Sequence, residues 1–205
     1  MTVTTPGETL VRYLQNLRDA LLWKLEGASD YDQRRPLTGT GTNLLGLVKH
    51  LAHVELGYFG DTFGRPTGVT NPVDEPGGDD NADMWVTPEE TRSDVVGLYK
   101  RAWAHAAETF DALGLDERGL DARGRVPWWP EATNEVTLHQ VLVHVAVDTA
   151  RHLGHADILR EQLDGAVGLR ADVDNLPADY DWVSHHARVE QAAREAGHPG
   201  LVEDA

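Results

Sequence analysis

The sequence predicts an all-α fold, a four-helix bundle with long connecting loops and one extra C-terminal helix. Four long segments repeat apolar residues at helical spacing, no stretch sustains the period-two alternation of a strand, and three segments open on helix-start chemistry. The 205 residues suffice for a core of their own, and neither an internal repeat nor a second core divides them, so residues 1–205 are expected to form a single domain.

The start signals are alike. Thr5-Pro6-Gly7-Glu8, Thr87-Pro88-Glu89-Glu90 and Thr137-Leu138-His139-Gln140 each set Thr three residues ahead of Glu or Gln. In such a capping box the hydroxyl accepts from a free backbone N–H while the later side chain reaches back to the first. Proline at the first helical position surrenders an N–H that lacks a helical partner anyway. The first helix is predicted over 6–25, with Leu10, Leu14, Leu17, Leu21 and Leu25 as its core stripe. A polar stretch leads into a second helix over 43–63, and a loop rich in Gly, Pro and Asp (64–86) follows. The third helix spans 88–113, with Val95, Leu98, Tyr99, Ala102, Ala106, Phe110 and Leu113 on one face. A second loop carries Gly124-Arg125-Val126-Pro127-Trp128-Trp129-Pro130. The fourth helix covers 138–163 and stops before Gly165, a fitting C-terminal cap. An acidic turn segment from Asp172 to Asp181 precedes a weaker helix over 182–196. Together these read as an antiparallel-type bundle, and loops of more than ~15 residues are often functional.

Composition narrows the partners. Thirty-four acids against 18 bases give a net charge of −16, a surface that repels phosphate backbones and anionic lipid. Nucleic acid and membrane are therefore not expected as partners. There are no cysteines, which excludes a disulfide framework, a Cys-rich zinc module and a cysteine nucleophile. The opening MTVTTPGETLVRY lacks a basic stretch followed by an apolar core, and no apolar run is long enough to span a bilayer. Cytoplasmic residence is the expectation.

A helical wheel locates polar side chains on buried arcs. With Leu138 at zero and about 100° per residue, the apolar side of the fourth helix covers roughly 60° either way, Asp148 falls at about 280° and His152 at about 320°. His144 and His155 lie on its edge. On the second helix, with Leu44 at zero, His50 lies at about 240° on the margin of the apolar arc, while His53 points near 180°, away from it. His50 is thus preferred over His53 as an inward group. Glu55, within the arc, either supports a site or pairs with an inward Arg. A carboxylate and an imidazole four residues apart on a buried side need a partner, and a metal satisfies both. A hydrogen-bonded core histidine or an ordinary helical ion pair would satisfy the same spacing.

Two segments resemble a known family. LHQVLVHVAVDTARHLGHADILREQLDG (138–165) is similar to the last bundle helix of the DinB-like superfamily, and NLLGLVKHLAHVELGYF (43–59) to its second helix. The motif D-T-A-R-H-L-G-H-A-D-I-L-R-E points to an actinobacterial subfamily long called a domain of unknown function, related to mycothiol S-transferases and mycothiol-dependent maleylpyruvate isomerase. The likeness covers most of the chain. It implies that His50, Asp148 and His152 bind one divalent metal, since relatives use one His on the second helix and a His/Glu-x-x-x-His pair on the last. Asp148 departs from the pattern, its stem one methylene shorter than Glu, which would weaken the hold on the metal, shift it towards the fourth helix or leave the site empty. His155, where many relatives carry Gln, is a supporting donor, a proton relay or an ordinary histidine at the core's edge; Arg151 and His144 flank the three in supporting or purely structural roles.

Two imidazoles and a carboxylate leave coordination positions open, the catalytic arrangement of zinc, though nickel, iron, manganese and cobalt suit the same ligands. The family likeness implies a low-molecular-weight thiol such as mycothiol as cosubstrate, attacking an electrophile in S-transfer or a thiol-dependent isomerisation. Trp128 and Trp129 are candidates for an apolar wall around that electrophile, or for a plug sealing the bundle end, and Arg125 for contact with an anionic substrate. A hydrolase using metal-bound water and a non-catalytic metal-binding or stress-response protein remain as alternatives. The tail helix offers a surface for a homodimer.

Overall fold

Thr5 opens the first helix as its sequence prescribes. Its hydroxyl accepts from the Glu8 N–H at 3.2 Å, and the Glu8 carboxylate accepts from the Thr5 N–H at 2.8 Å, so α1 (Pro6–Trp23) starts with a complete capping box. The computed structural model describes residues 4–197 apart from 171, 172, 175 and 178. The expected turn at Asp172 therefore begins outside the described residues. Beyond Trp23 the chain leaves the helix, and the carbonyls of Lys24 and Glu26 each accept from Nη1 of the buried Arg160 at 2.7 Å. This guanidinium serves carbonyls that a helix end leaves without partners.

A short helix, α2 (Asp30–Arg34), interrupts the polar stretch before α3 (Leu44–Phe59), where the Asn43 side chain caps by accepting from the Gly46 N–H at 2.8 Å. The second long helix ends sooner than its periodicity suggests. At Gly60 the backbone leaves α geometry, a Cβ there would lie 2.3 Å from the Leu56 carbonyl oxygen, and Asp61–Phe63 follow as a 3-10 turn.

The third long helix corrects the expectation of a start at Pro88. α4 spans Arg92–Leu113 with Thr91 as its cap, boxed with Asp94. The reason lies in Glu90, whose carboxylate accepts from the Thr87 N–H at 2.7 Å and from the buried Lys49 at 2.9 Å. It tethers a turn instead of a helix start, and the next Thr takes over. After α5 (Glu117–Leu120), two strands β1 (Arg123–Arg125) and β2 (Glu135–Thr137) pair antiparallel with Gly124 opposite Val136. Strands of three residues are too short to display alternation in sequence, so no strand was anticipated. They clamp the Pro-Trp-Trp loop at its base. α6 (Leu138–Asp164) ends at Gly165 in the left-handed region (φ 76°), and α7 (Trp182–Gly197) closes the described chain.

Core composition gives the helix directions. One cluster joins Leu21 of α1, Leu44 to Leu51 of α3, Val95 and Tyr99 of α4, and Leu153 to Leu159 of α6. The other joins Leu14, Tyr58 and Phe59, Ala106 and Phe110, and Leu138 to Val145. Hence α1 and α6 run one way and α3 and α4 the other. This differs from a simple antiparallel bundle, because residues 60–91 carry the chain back along its length, about 33 Å for a helix of 22 residues such as α4. Between the layers, Arg18 of α1 meets Glu55 of α3 through Nε (2.9 Å) and Nη2 (2.5 Å), both side chains buried.

Candidate metal centre

α3 packs against α6 in the opposite direction, so the middle of each faces the middle of the other. His50, Asp148 and His152 meet there, with one ligand atom from each lying within 4.8 Å of the other two. The His50 and His152 rings stand edge to face, centroids 4.8 Å apart. Nε2 of His152 is 3.6 Å from Oδ1 of Asp148, too long for a hydrogen bond. Two ligands at about 2.1 Å from one tetrahedral ion would stand about 3.4 Å apart. The short stem of Asp148 therefore still reaches ligand spacing. Nδ1 of His152 is buried without a hydrogen-bond partner among the described residues. Burial, then the neighbouring His50, lowers the pKa of His152 and favours the neutral imidazole that a metal requires. Donor types and spacing fit a divalent ion.

Asp83 completes the geometry. Its Oδ2 lies 2.6 Å from Nδ1 of His50, leaving Nε2 as the other ring donor. Burial opposes ionisation of Asp83, but the hydrogen bond and charge of His50 prevail and hold its pKa below the usual value. A carboxylate behind a ligating histidine sets the tautomer and ring orientation. Asp83 is held there because residues 83–86 lie along α3. The Met84 carbonyl accepts from Asn43 Nδ2 at 3.2 Å and the Trp85 carbonyl from Lys49 Nζ at 3.0 Å. At Gly46 a Cβ would stand only 1.9 Å from the Met84 oxygen. The sequence offered one trace of this approach, a glycine inside an apolar helix.

The same cover corrects the reading of His53. The wheel turned it away from the bundle core, yet it is 7% exposed. A surface covered by a returning loop is invisible to helical periodicity. Burial, followed by the charge of Lys49, lowers its pKa to about 4.

The remaining candidates separate. His155 is exposed, its ring centroid 5.4 Å from that of His152. Arg151 is exposed beside it, its charge adding to the lowering of the His152 pKa. Glu55 takes the second of its two anticipated roles, paired with Arg18. Trp129 donates from Nε1 to the Tyr58 hydroxyl at 3.1 Å, packs half-buried against the second core cluster and meets the exposed His144 edge to face. Trp128 instead stays half exposed and lies on α3, where a Cβ at Gly57 would be 2.8 Å from its ring. It walls a cavity of about 790 Å³ that His50, His53 and Asp83 also line. Arg125 pairs with Glu135 at 3.1 Å, outside that cavity.

Facing helices that present two imidazoles and a carboxylate define a helical bundle able to hold a metal in its groove. The mycothiol S-transferase family model matches residues 9–165, and the chain belongs to that family. Among curated proteins, none matches the chain. No helix among the described residues is long and apolar enough to cross a membrane.

Proposed function

We propose that this chain is a metal-dependent thiol S-transferase in which His50, Asp148 and His152 hold one divalent ion, zinc first among those their chemistry suits. The observation that carries the proposal is the convergence of three donors beside a roomy cavity. Family membership supports a small thiol, mycothiol or a close relative, as the cosubstrate. A metal bound there would lower the pKa of a coordinated thiol, making a thiolate available at neutral pH. The chain's residues supply the rest. Asp83 orients His50, and burial keeps His152 unprotonated. Trp128 and the apolar part of the cavity wall offer the acceptor a surface to pack against. His155, exposed beside His152, offers the departing thiol proton a path to solvent. In the transfer, sulfur bonds to an electrophilic carbon, the bond to the leaving group breaks with its electron pair, and the thiol proton passes to water.

The test is thiol dependence. Zinc-loaded protein should convert 1-chloro-2,4-dinitrobenzene to a thioether only with added mycothiol, and His152→Ala should abolish that rate. Conversion to the phenol at the same rate without thiol would instead favour a hydrolase.

A further inference from the structure

The cavity beside His50 has a chemical character of its own. Its lining includes Val54, Leu56, Val69, Val73, Pro127 and Trp128, a largely apolar surface. Its acidic members are Asp61, Asp74 and Asp83, and no lysine or arginine is among the described residues that line it. Arg125, the basic residue of the Pro-Trp-Trp loop, is already bound to Glu135. Two further features point to a ligand. His53, 7% exposed, borders the cavity, and its ring forms no hydrogen bond with the described residues. Its ring nitrogens are not among the buried unpartnered atoms, so they are free to hydrogen-bond a molecule in the cavity. Trp128, although 51% exposed, has a built seat. Gly57, in the last turn of α3, supplies the clearance, and the Tyr58 ring meets the indole edge to face at 5.0 Å.

We propose that this cavity binds the thiol acceptor and selects uncharged or cationic aromatic molecules, excluding carboxylates and phosphates. The inference rests on the thiol-transfer reading and adds the substrate class. Stacking on Trp128 holds an aromatic acceptor next to His50, and His53 makes a hydrogen bond to its polar substituent. An anionic acceptor meets Asp61 and Asp74 with no lysine or arginine among the described lining residues to offset them, and the charge of an ion at His50 would be offset by Asp148 and the thiolate, within a chain of net charge −16. Burial raises the pKa of Asp61, opposed by the charge of His105 and reinforced to a lesser degree by that of Asp74.

The experiment uses matched pairs on the zinc-loaded full chain. Binding of unreactive 1,3-dinitrobenzene and 3,5-dinitrobenzoate is followed by quenching of indole fluorescence, with Trp128→Phe identifying the signal. Turnover is compared between 1-chloro-2,4-dinitrobenzene and 4-chloro-3,5-dinitrobenzoate with mycothiol, each corrected for its uncatalysed rate. The neutral member should bind and react better by about tenfold or more, as repulsion from nearby charges predicts. Asp61→Asn/Asp74→Asn should shrink that gap severalfold, and Gly57→Ala should weaken neutral binding by displacing Trp128. Equal or tighter binding of the carboxylate, an unchanged gap in the double variant, or no binding of either probe overturns the proposal. A charge preference in binding without thiol-dependent turnover would sink the transferase reading and leave the cavity assignment standing. Turnover without preference would do the reverse.

Discussion

The Asp83 carboxylate stands 2.6 Å from Nδ1 of His50 across 33 residues of sequence, behind the ring and off the ligand set itself. Such a contact tunes a metal site without closing it. Asp83→Asn should therefore keep the fold and lower zinc affinity about 10–100-fold, read by competition with a chelating dye. His152→Ala should lose near-stoichiometric metal altogether. Equal affinities of wild type and Asp83→Asn would show that the contact orients nothing.

Gly46 couples the same site to stability. An alanine Cβ there would sit 1.9 Å from the Met84 carbonyl oxygen, and backbone cannot yield as a flexible side chain does. Gly46→Ala should cost about 1–3 kcal/mol in urea unfolding and should also weaken zinc binding, because Asp83 moves with Met84. A stability loss with unaltered zinc affinity would break that link.

Arg18 and Glu55 form a buried pair away from the metal groups. Glu55→Leu alone strands a buried guanidinium and should cost about 3–5 kcal/mol. Arg18→Met/Glu55→Leu should recover most of that loss, and both variants should keep the zinc content of the wild type. Lost zinc in the double variant would tie Glu55 to the metal site after all.

His53 makes a pH prediction. An unfolded histidine titrates near 6.5, whereas the folded one is held at about 4, first by burial. Between these values the unfolded chain carries a proton that the folded chain lacks. Its contribution is thus complete above about pH 6.5 and lost as pH falls towards 4. Metal-free protein should lose stability over that window, with a smaller slope in His53→Gln; His152, held low as well, keeps the remaining slope from vanishing. Identical slopes would contradict the depressed value.

The displaced start of α4 is testable at the caps. Thr91→Ala should cost about 1 kcal/mol, and Thr87→Ala markedly less, since the turn uses the backbone N–H and carbonyl of Thr87, which alanine keeps. Equal costs would return the helix start to Pro88.

By itself the sequence determined what is local or periodic. The caps at Thr5 and Thr137, the left-handed stop at Gly165 and the apolar stripes come from residues within a turn or two of one another. The meeting of Asp148 with His152 belongs here too, since four residues on a helix share a face. The family motif brought in His50 from another helix. Tertiary structure alone decided what depends on a segment returning from afar. It ran α4 alongside α3 in the same direction, gave Glu90 to Lys49, laid residues 83–86 on α3 and buried His53 beneath them. A helical wheel measures direction relative to its own axis and has no knowledge of what crosses the far side. For that reason the candidate triad of His50, Asp148 and His152 could be read from spacing and resemblance, whereas Asp83 and the acidic cavity at Trp128 required the folded chain.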